Sequence, residues 1–246
     1  MQVSLLWDKH KGQDIYIVGT GPSMRVFPME VLDGKTTIGL NRAWKYSSLT
    51  YSVTVHPDLI VEYEKDTERK NKTQWIVKGQ KAPIRASFSD KRYYVFEGEK
   101  PVPTHGFNLQ YVRERVRNVL YIGRGIQQTA MNIAAHMGAR AIYLVGVDMC
   151  SLDGSHHGHA QPIQFHGLNP DAVYREYRNF TAHIRKVIRD ELKIPVVSLT
   201  PFIGLNDAVE DFNRVKGELD IKPLPGALDV SNYNRREVNL DPNRRG

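Results

Sequence analysis

A short apolar run, Asp14-Ile15-Tyr16-Ile17-Val18, breaks directly into Gly19-Thr20-Gly21-Pro22-Ser23. Ile15, Tyr16, Ile17 and Val18 suit a pleated, buried strand. Two glycines within three residues then permit positive φ and a close backbone approach. Pro22 fits the first turn of a helix, where its missing N–H costs nothing. Strand, glycine turn and helix start are the first half of a βα unit. Such a turn lets backbone N–H groups meet an anion, and a helix N-terminus behind it favours negative charge. Gly19, Thr20, Gly21, Pro22 and Ser23 are therefore candidate contacts for a nucleotide phosphate. Met24 stands where Gly-x-Gly-x-x-Gly would place its third glycine, and no Gly-Lys-Ser/Thr follows, so the turn is not a P-loop. A plain strand-to-helix joint satisfies the same pattern.

The rest of the chain repeats the alternation. Strands are expected at residues 36–40 and 51–55, ending in Asn41-Arg42 and His56-Pro57-Asp58. Residues 59–69 have helical spacing, and short strands are expected at 74–77, 84–88 and 93–96. Ile126, Ala130, Ile133, Ala134 and Met137 recur at helical spacing, with Gly138 placed to cap. The nearly all-apolar run 141–147 reads as a parallel strand covered on both faces, and it ends in Gly146-Val147-Asp148. Residues 171–192 read as a long helix and 195–199 as a last core strand. The expectation is an open, mainly parallel Rossmann-like sheet with helices on both faces. Residues 1–205 form one nucleotide-binding α/β domain with a short lid loop at about 149–170, and 206–246 a polar tail. Thr20, Asn41, His56 and Asp148 all follow strands, so they should converge on one crevice beyond the C-terminal strand ends.

A chain of 246 residues can bury a sizeable core. Its formal charge of +7 suits an anionic ligand or acceptor, a nucleotide-sugar, glycan or nucleic acid. The single cysteine, Cys150, excludes an internal disulfide and fits a reducing compartment. Neither a signal peptide nor a membrane span is evident, so the expected location is cytoplasmic.

Several segments resemble the bacterial sialyltransferases of glycosyltransferase family 42. They also resemble the related MptE-like superfamily of 6-hydroxymethylpterin diphosphokinases and Maf-type flagellin glycosyltransferases. The resemblance lies in residues 17–23, in Ile38-Gly39-Leu40-Asn41-Arg42, in Val53-Thr54-Val55-His56-Pro57-Asp58, and in the run from Thr129 to Leu144-Val145-Gly146-Val147-Asp148. It implies a nucleotide-binding α/β domain in which Thr20, Gly21, Ser23 and Asn41 contact the donor nucleotide. It also implies a lid after Asp148 with a histidine base at its far end, and no metal requirement. Two positions depart from the sialyltransferase pattern: Thr20 replaces an asparagine and Arg42 a glutamine.

The segment Asp153-Gly154-Ser155-His156-His157-Gly158-His159, with His166 behind it, is the densest group of reactive side chains. Histidine can deprotonate a hydroxyl near neutral pH. Position after the lid favours His166 as the base; density and glycine freedom favour His157 or His159, and the choice stays open. Asp148 joins the catalytic candidates. Arg42, His56, Arg124 and the lid arginine Arg175 are candidates to meet phosphate charge. His157 and His159 with Asp148 or Asp153 form a competing metal set, although Asp148-Met149-Cys150 completes no Asp-x-Asp motif. The basic groups Arg113, Arg115, Arg117 and Arg178, Arg185, Arg189 read as solvated surfaces or polyanion contacts.

The leading expectation is a glycosyltransferase moving a sugar from a nucleotide-sugar to an acceptor hydroxyl, with no resident cofactor. The acceptor is a glycan or a hydroxymethylated base in DNA, the latter suiting a phage-type modification enzyme. A pterin-type diphosphokinase using ATP and magnesium is the alternative, and a non-catalytic nucleotide- or nucleic-acid-binding module the third. A homo-oligomer is compatible with all three.

Overall fold

The computed structural model describes residues 1–25, 27–66, 73–79, 93–99, 109–149 and 170–199. Among these residues, eight strands form one sheet: β1 (Asp14–Val18), β2 (Thr36–Leu40), β3 (Tyr51–Thr54), β4 (Gln74–Lys78), β5 (Tyr93–Glu99), β6 (Val119–Tyr121), β7 (Ala141–Val145) and β8 (Val196–Ser198). Their order is β6-β5-β4-β3-β2-β1-β7-β8, and every pairing is parallel. The chain walks outward from β1 to β6, then returns to the far side of β1 for β7 and β8. That reversal makes the carboxyl ends of β1 and β7 the switch point of the strand order, the place where open α/β sheets generally bind ligands.

Parallel strands need both faces covered, and the core divides accordingly. On one face α3 (Ile126–His136) and α4 (Pro170–Asp190) cover Ile15, Ile17, Ile38, Ile142 and Leu144. On the other, Tyr16, Val18, Trp75, Val77 and Val145 pack with Met24, Leu32, Trp44 and Tyr63, the last from α1 (Asp58–Glu64). Trp44 and Trp75 are core residues, and Trp7 is half-buried against the first cluster.

The segment after the glycine turn, expected as a short helix or an irregular turn, is two short 3-10 turns, Pro22–Arg25 and Met29–Leu32. Four residues of 3-10 geometry carry little macrodipole toward Thr20. The helix expected over 59–69 is α1, ending at Glu64, and residues 67–72 lie outside the described segments. The last core strand expected at 195–199 is β8, buried at all three residues; among the described residues it pairs with β7 and forms the sheet edge. The strand expected at 84–88, the histidine segment and the 206–246 tail also lie outside the described residues.

Among the elements that escaped the sequence reading are β6 and α2 (Gln110–Arg113). Both are held by polar residues of α3 that apolar periodicity ignores. The buried Asn132 side chain accepts from Tyr121 N at 2.9 Å and donates to Tyr111 O at 3.0 Å, while Thr129 Oγ1 donates to Tyr121 O at 3.0 Å.

Candidate functional site

The C-terminal edge of the sheet gathers the candidate residues into two separate groups. The first is the joint between β1 and β7. Gly19 N donates to Val145 O at 2.7 Å and Gly21 N to Gly146 O at 2.8 Å. A Cβ at Gly19 would stand 2.2 Å from Gly146 O, and one at Gly21 2.4 Å from Asp148 Oδ2. Both glycines are therefore required by close approach of the two strand ends. Asp148 is 1 % exposed. Its carboxylate accepts from Ser23 N and from Ser23 Oγ, each at 2.7 Å. The amides expected to cradle a ligand phosphate at residues 19, 21 and 23 are thus bound within the protein. The anion seated on Ser23 is Asp148.

Asp148 is itself held from behind. Met149 stands at φ +48°; its carbonyl accepts from Arg178 Nη1 at 2.8 Å, and its sulfur accepts from Thr181 Oγ1 at 3.3 Å and Gln127 Nε2 at 3.5 Å. Arg178 and Arg185 are accordingly structural. Arg185 is buried, and its Nε donates to Val196 O at 2.9 Å.

The second group joins β2 and β3. Asn41 follows β2 in the left-handed region at φ +50°, which asparagine tolerates. The buried Thr54 hydroxyl donates to Asn41 Oδ1 at 3.0 Å and accepts from His56 N at 3.0 Å. With Oδ1 fixed inward, the two N–H donors of the Asn41 amide are directed elsewhere, and they have no hydrogen-bond partner among the described residues. His56 is exposed and Asn41 half-buried at this edge.

Two phosphate candidates are drawn away. Arg42 donates through Nε to Glu62 Oε2 at 2.8 Å, and Lys45 pairs with Glu62 Oε1 at 2.7 Å. Hydrogen bonding to Arg42, reinforced by Lys45, holds the Glu62 carboxyl below its usual range despite partial burial. Arg124 makes a 3.2 Å surface pair with Glu176. The basic segment after α2 is likewise paired: Arg113 with Glu191 at 2.6 Å, Arg115 with Asp8, and Arg117 with Gln2 Oε1 at 3.0 Å. His157, His159, His166, Cys150 and Asp153 lie outside the described residues, as does the side chain of Arg175. No group of three or more metal-ligating side chains occurs among the described residues. Among them, no helix is long and apolar enough to cross a membrane.

No family model and no curated protein matches the chain. A solved structure of the sialyltransferase CST-II in complex with CMP is similar at a TM-score of 0.49 and 14% identity, covering 78% of this chain and 85% of that one.

Proposed function

We propose that the protein is a nucleotide-sugar-dependent glycosyltransferase whose donor occupies the C-terminal strand edge beside the β1/β7 reversal. The observation that carries this reading is the Asn41 amide. It is oriented by Thr54, it stands one strand from the reversal, and its two donors remain for a ligand. The ordered resemblance from residues 17–23 through Asp148 supports the same reading, since it implies a donor contact at Asn41. Thr20 at the turn and the exposed His56 complete the proposed nucleotide contacts.

In the proposed step, a histidine of the segment after Asp148, His157, His159 or His166, takes the proton from an acceptor hydroxyl. The acceptor oxygen bonds to the anomeric carbon as the bond from that carbon to the nucleotide phosphate breaks. The phosphate leaves with the electron pair. Hydrogen-bond donors and cationic side chains stabilise that developing charge, and the reading assigns no metal to the step.

A thermal-shift panel of CMP, UDP, GDP, ATP and their sugar conjugates, with and without magnesium, tests the reading. The expected result is stabilisation by one nucleotide and its sugar conjugate, independent of magnesium. Stabilisation by ATP in magnesium alone would overturn it in favour of a diphosphokinase. With the donor identified, single His157→Ala, His159→Ala and His166→Ala variants are assayed for turnover. One of them is expected to lose turnover and keep donor binding; full activity in all three removes the histidine base.

A further inference from the structure

We propose that Asp148 is a positioning residue. Its carboxylate is the resident anion of the Gly19–Ser23 turn and keeps ligand phosphate out of it, so a bound nucleotide turns an uncharged hydrogen-bonding part toward the turn. The first half stands on geometry alone. Ser23 offers one backbone and one hydroxyl donor, and Asp148 accepts both at 2.7 Å. Asp148 Oδ2 lies in the space that a Cβ at Gly21 would occupy. Charge-assisted bonds of this length are the pattern with which an open glycine turn holds a phosphate oxygen.

Two further observations show how firmly that carboxylate is set. It is 1 % exposed, and the next residue is clamped by Arg178, Thr181 and Gln127 of the two covering helices. A phosphate brought to Ser23 would therefore meet a fixed carboxylate at near-contact distance. That repulsion costs on the order of a hundredfold in affinity. The second half rests on the glycosyltransferase reading: a nucleotide at this edge directs its phosphates toward the β2–β3 group. There Asn41 has donors left and His56 is exposed. Its nucleoside then lies nearer the β1/β7 joint.

Asp148→Asn separates charge from shape. The amide oxygen can still accept from Ser23 N, and the amide nitrogen can donate to Ser23 Oγ, because a hydroxyl both donates and accepts. The experiment measures binding of inorganic phosphate, of cytidine with CMP and of adenosine with AMP, to wild type and variant at constant ionic strength. At the turn, read from the amide resonances of Gly21 and Ser23, wild type is expected to bind no phosphate at millimolar concentration. Asp148→Asn is expected to gain phosphate binding there by about tenfold or more while its affinity for a nucleoside stays unchanged. Equal phosphate binding at the turn by both proteins, or none there by either, overturns the proposal. Loss of nucleoside affinity in the variant overturns the proposed orientation.

A measurement on wild type alone keeps the proposal open to refutation if the variant does not fold. Phosphate titration is expected to leave the amide resonances of Gly21 and Ser23 in place, and their movement overturns it. If neither nucleosides nor nucleotides bind wild type, the glycosyltransferase reading fails, while the phosphate comparison still decides the role of Asp148.

Discussion

At the N-terminal edge of the sheet, polar groups answer one another. Asp14 at the start of β1 pairs with Arg140 just before β7 at 2.7 Å. His10 bridges Tyr51 OH at 2.9 Å and Gln13 Oε1 at 3.0 Å, and Asp8 pairs with Arg115. The N-terminal segment is also laced to the end of α3 through Asp8 N to His136 O, His10 N to Met137 O and Gly12 N to Gly138 O, at 2.9 to 3.0 Å. The C-terminal edge is built otherwise. One joint, Ser23 with Asp148, is closed on itself, and the next leaves the Asn41 donors to be filled. Pairing at the N-terminal edge spends polar groups on the fold. At the other, the Asn41 amide donors have no partner among the described residues, and the proposed function gives them to a ligand.

The closed joint is expected to be the hardest place to alter. Gly19→Ala drives a methyl against the Gly146 carbonyl, which is backbone and has no rotamer to yield. A loss of about 4 kcal/mol in urea unfolding is expected. A loss below about 1 kcal/mol would show that the two strand ends slide freely.

Next is the acid response of the N-terminal edge. His136 is 2 % exposed, its Nε2 donates to Tyr111 O at 2.9 Å, and its ring meets Trp7 edge-on at 4.8 Å. Burial pushes its pKa down to about 4, outweighing the carbonyl bond. The unfolded chain therefore binds a proton between the ordinary value of 6.5 and about 4 that the folded chain refuses. Stability is full above that window and falls with pH through it, by ~3 kcal/mol at pH about 4. Unfolding curves from pH 7 to 4 check the slope, which His136→Gln should flatten. A slope unchanged in that variant would place the proton elsewhere.

Smaller effects distinguish the open joint. Thr54→Val removes the hydroxyl that orients Asn41 and receives His56 N; a loss of about 1 to 2 kcal/mol in stability is expected, together with weaker nucleotide binding. Asn41→Gly keeps the left-handed backbone and deletes the donors. Its stability is expected within about 0.5 kcal/mol of wild type, with affinity for the stabilising nucleotide down about tenfold. A nucleotide bound equally well by this variant would move the donor site off the β2–β3 group. Least affected is Arg140→Gln, which severs a surface pair and is expected to shift neither the unfolding midpoint nor ligand binding. A clear fall in the midpoint would give the N-terminal pairing more weight than exposed ion pairs usually carry.

Much of the sheet was legible because its strands are local apolar runs. β1, β2, β7 and the helix α3 fall where period and glycine placement put them. β6 was not legible: three residues supply no period, and its partners are polar side chains of α3. At the candidate site, the glycine turn and Asn41 stood out locally as strand-end residues. The pairing of Arg42 with Glu62 did not, since it depends on how α1 lies beside the end of β2. Thr54 as the residue that orients Asn41 was also missed; a threonine ending a strand carries no signal until its neighbour strand is known.

By itself the sequence determined an α/β chain with polar and glycine-rich segments at strand ends, because hydrophobic period and backbone freedom act over a few residues. Only the tertiary structure decided what those segments face. Ser23 and Asp148 are separated by 125 positions, and they meet because the chain returns from β6 to lay β7 parallel beside β1. That one juxtaposition turns an apparent phosphate cradle into a joint that already holds its anion.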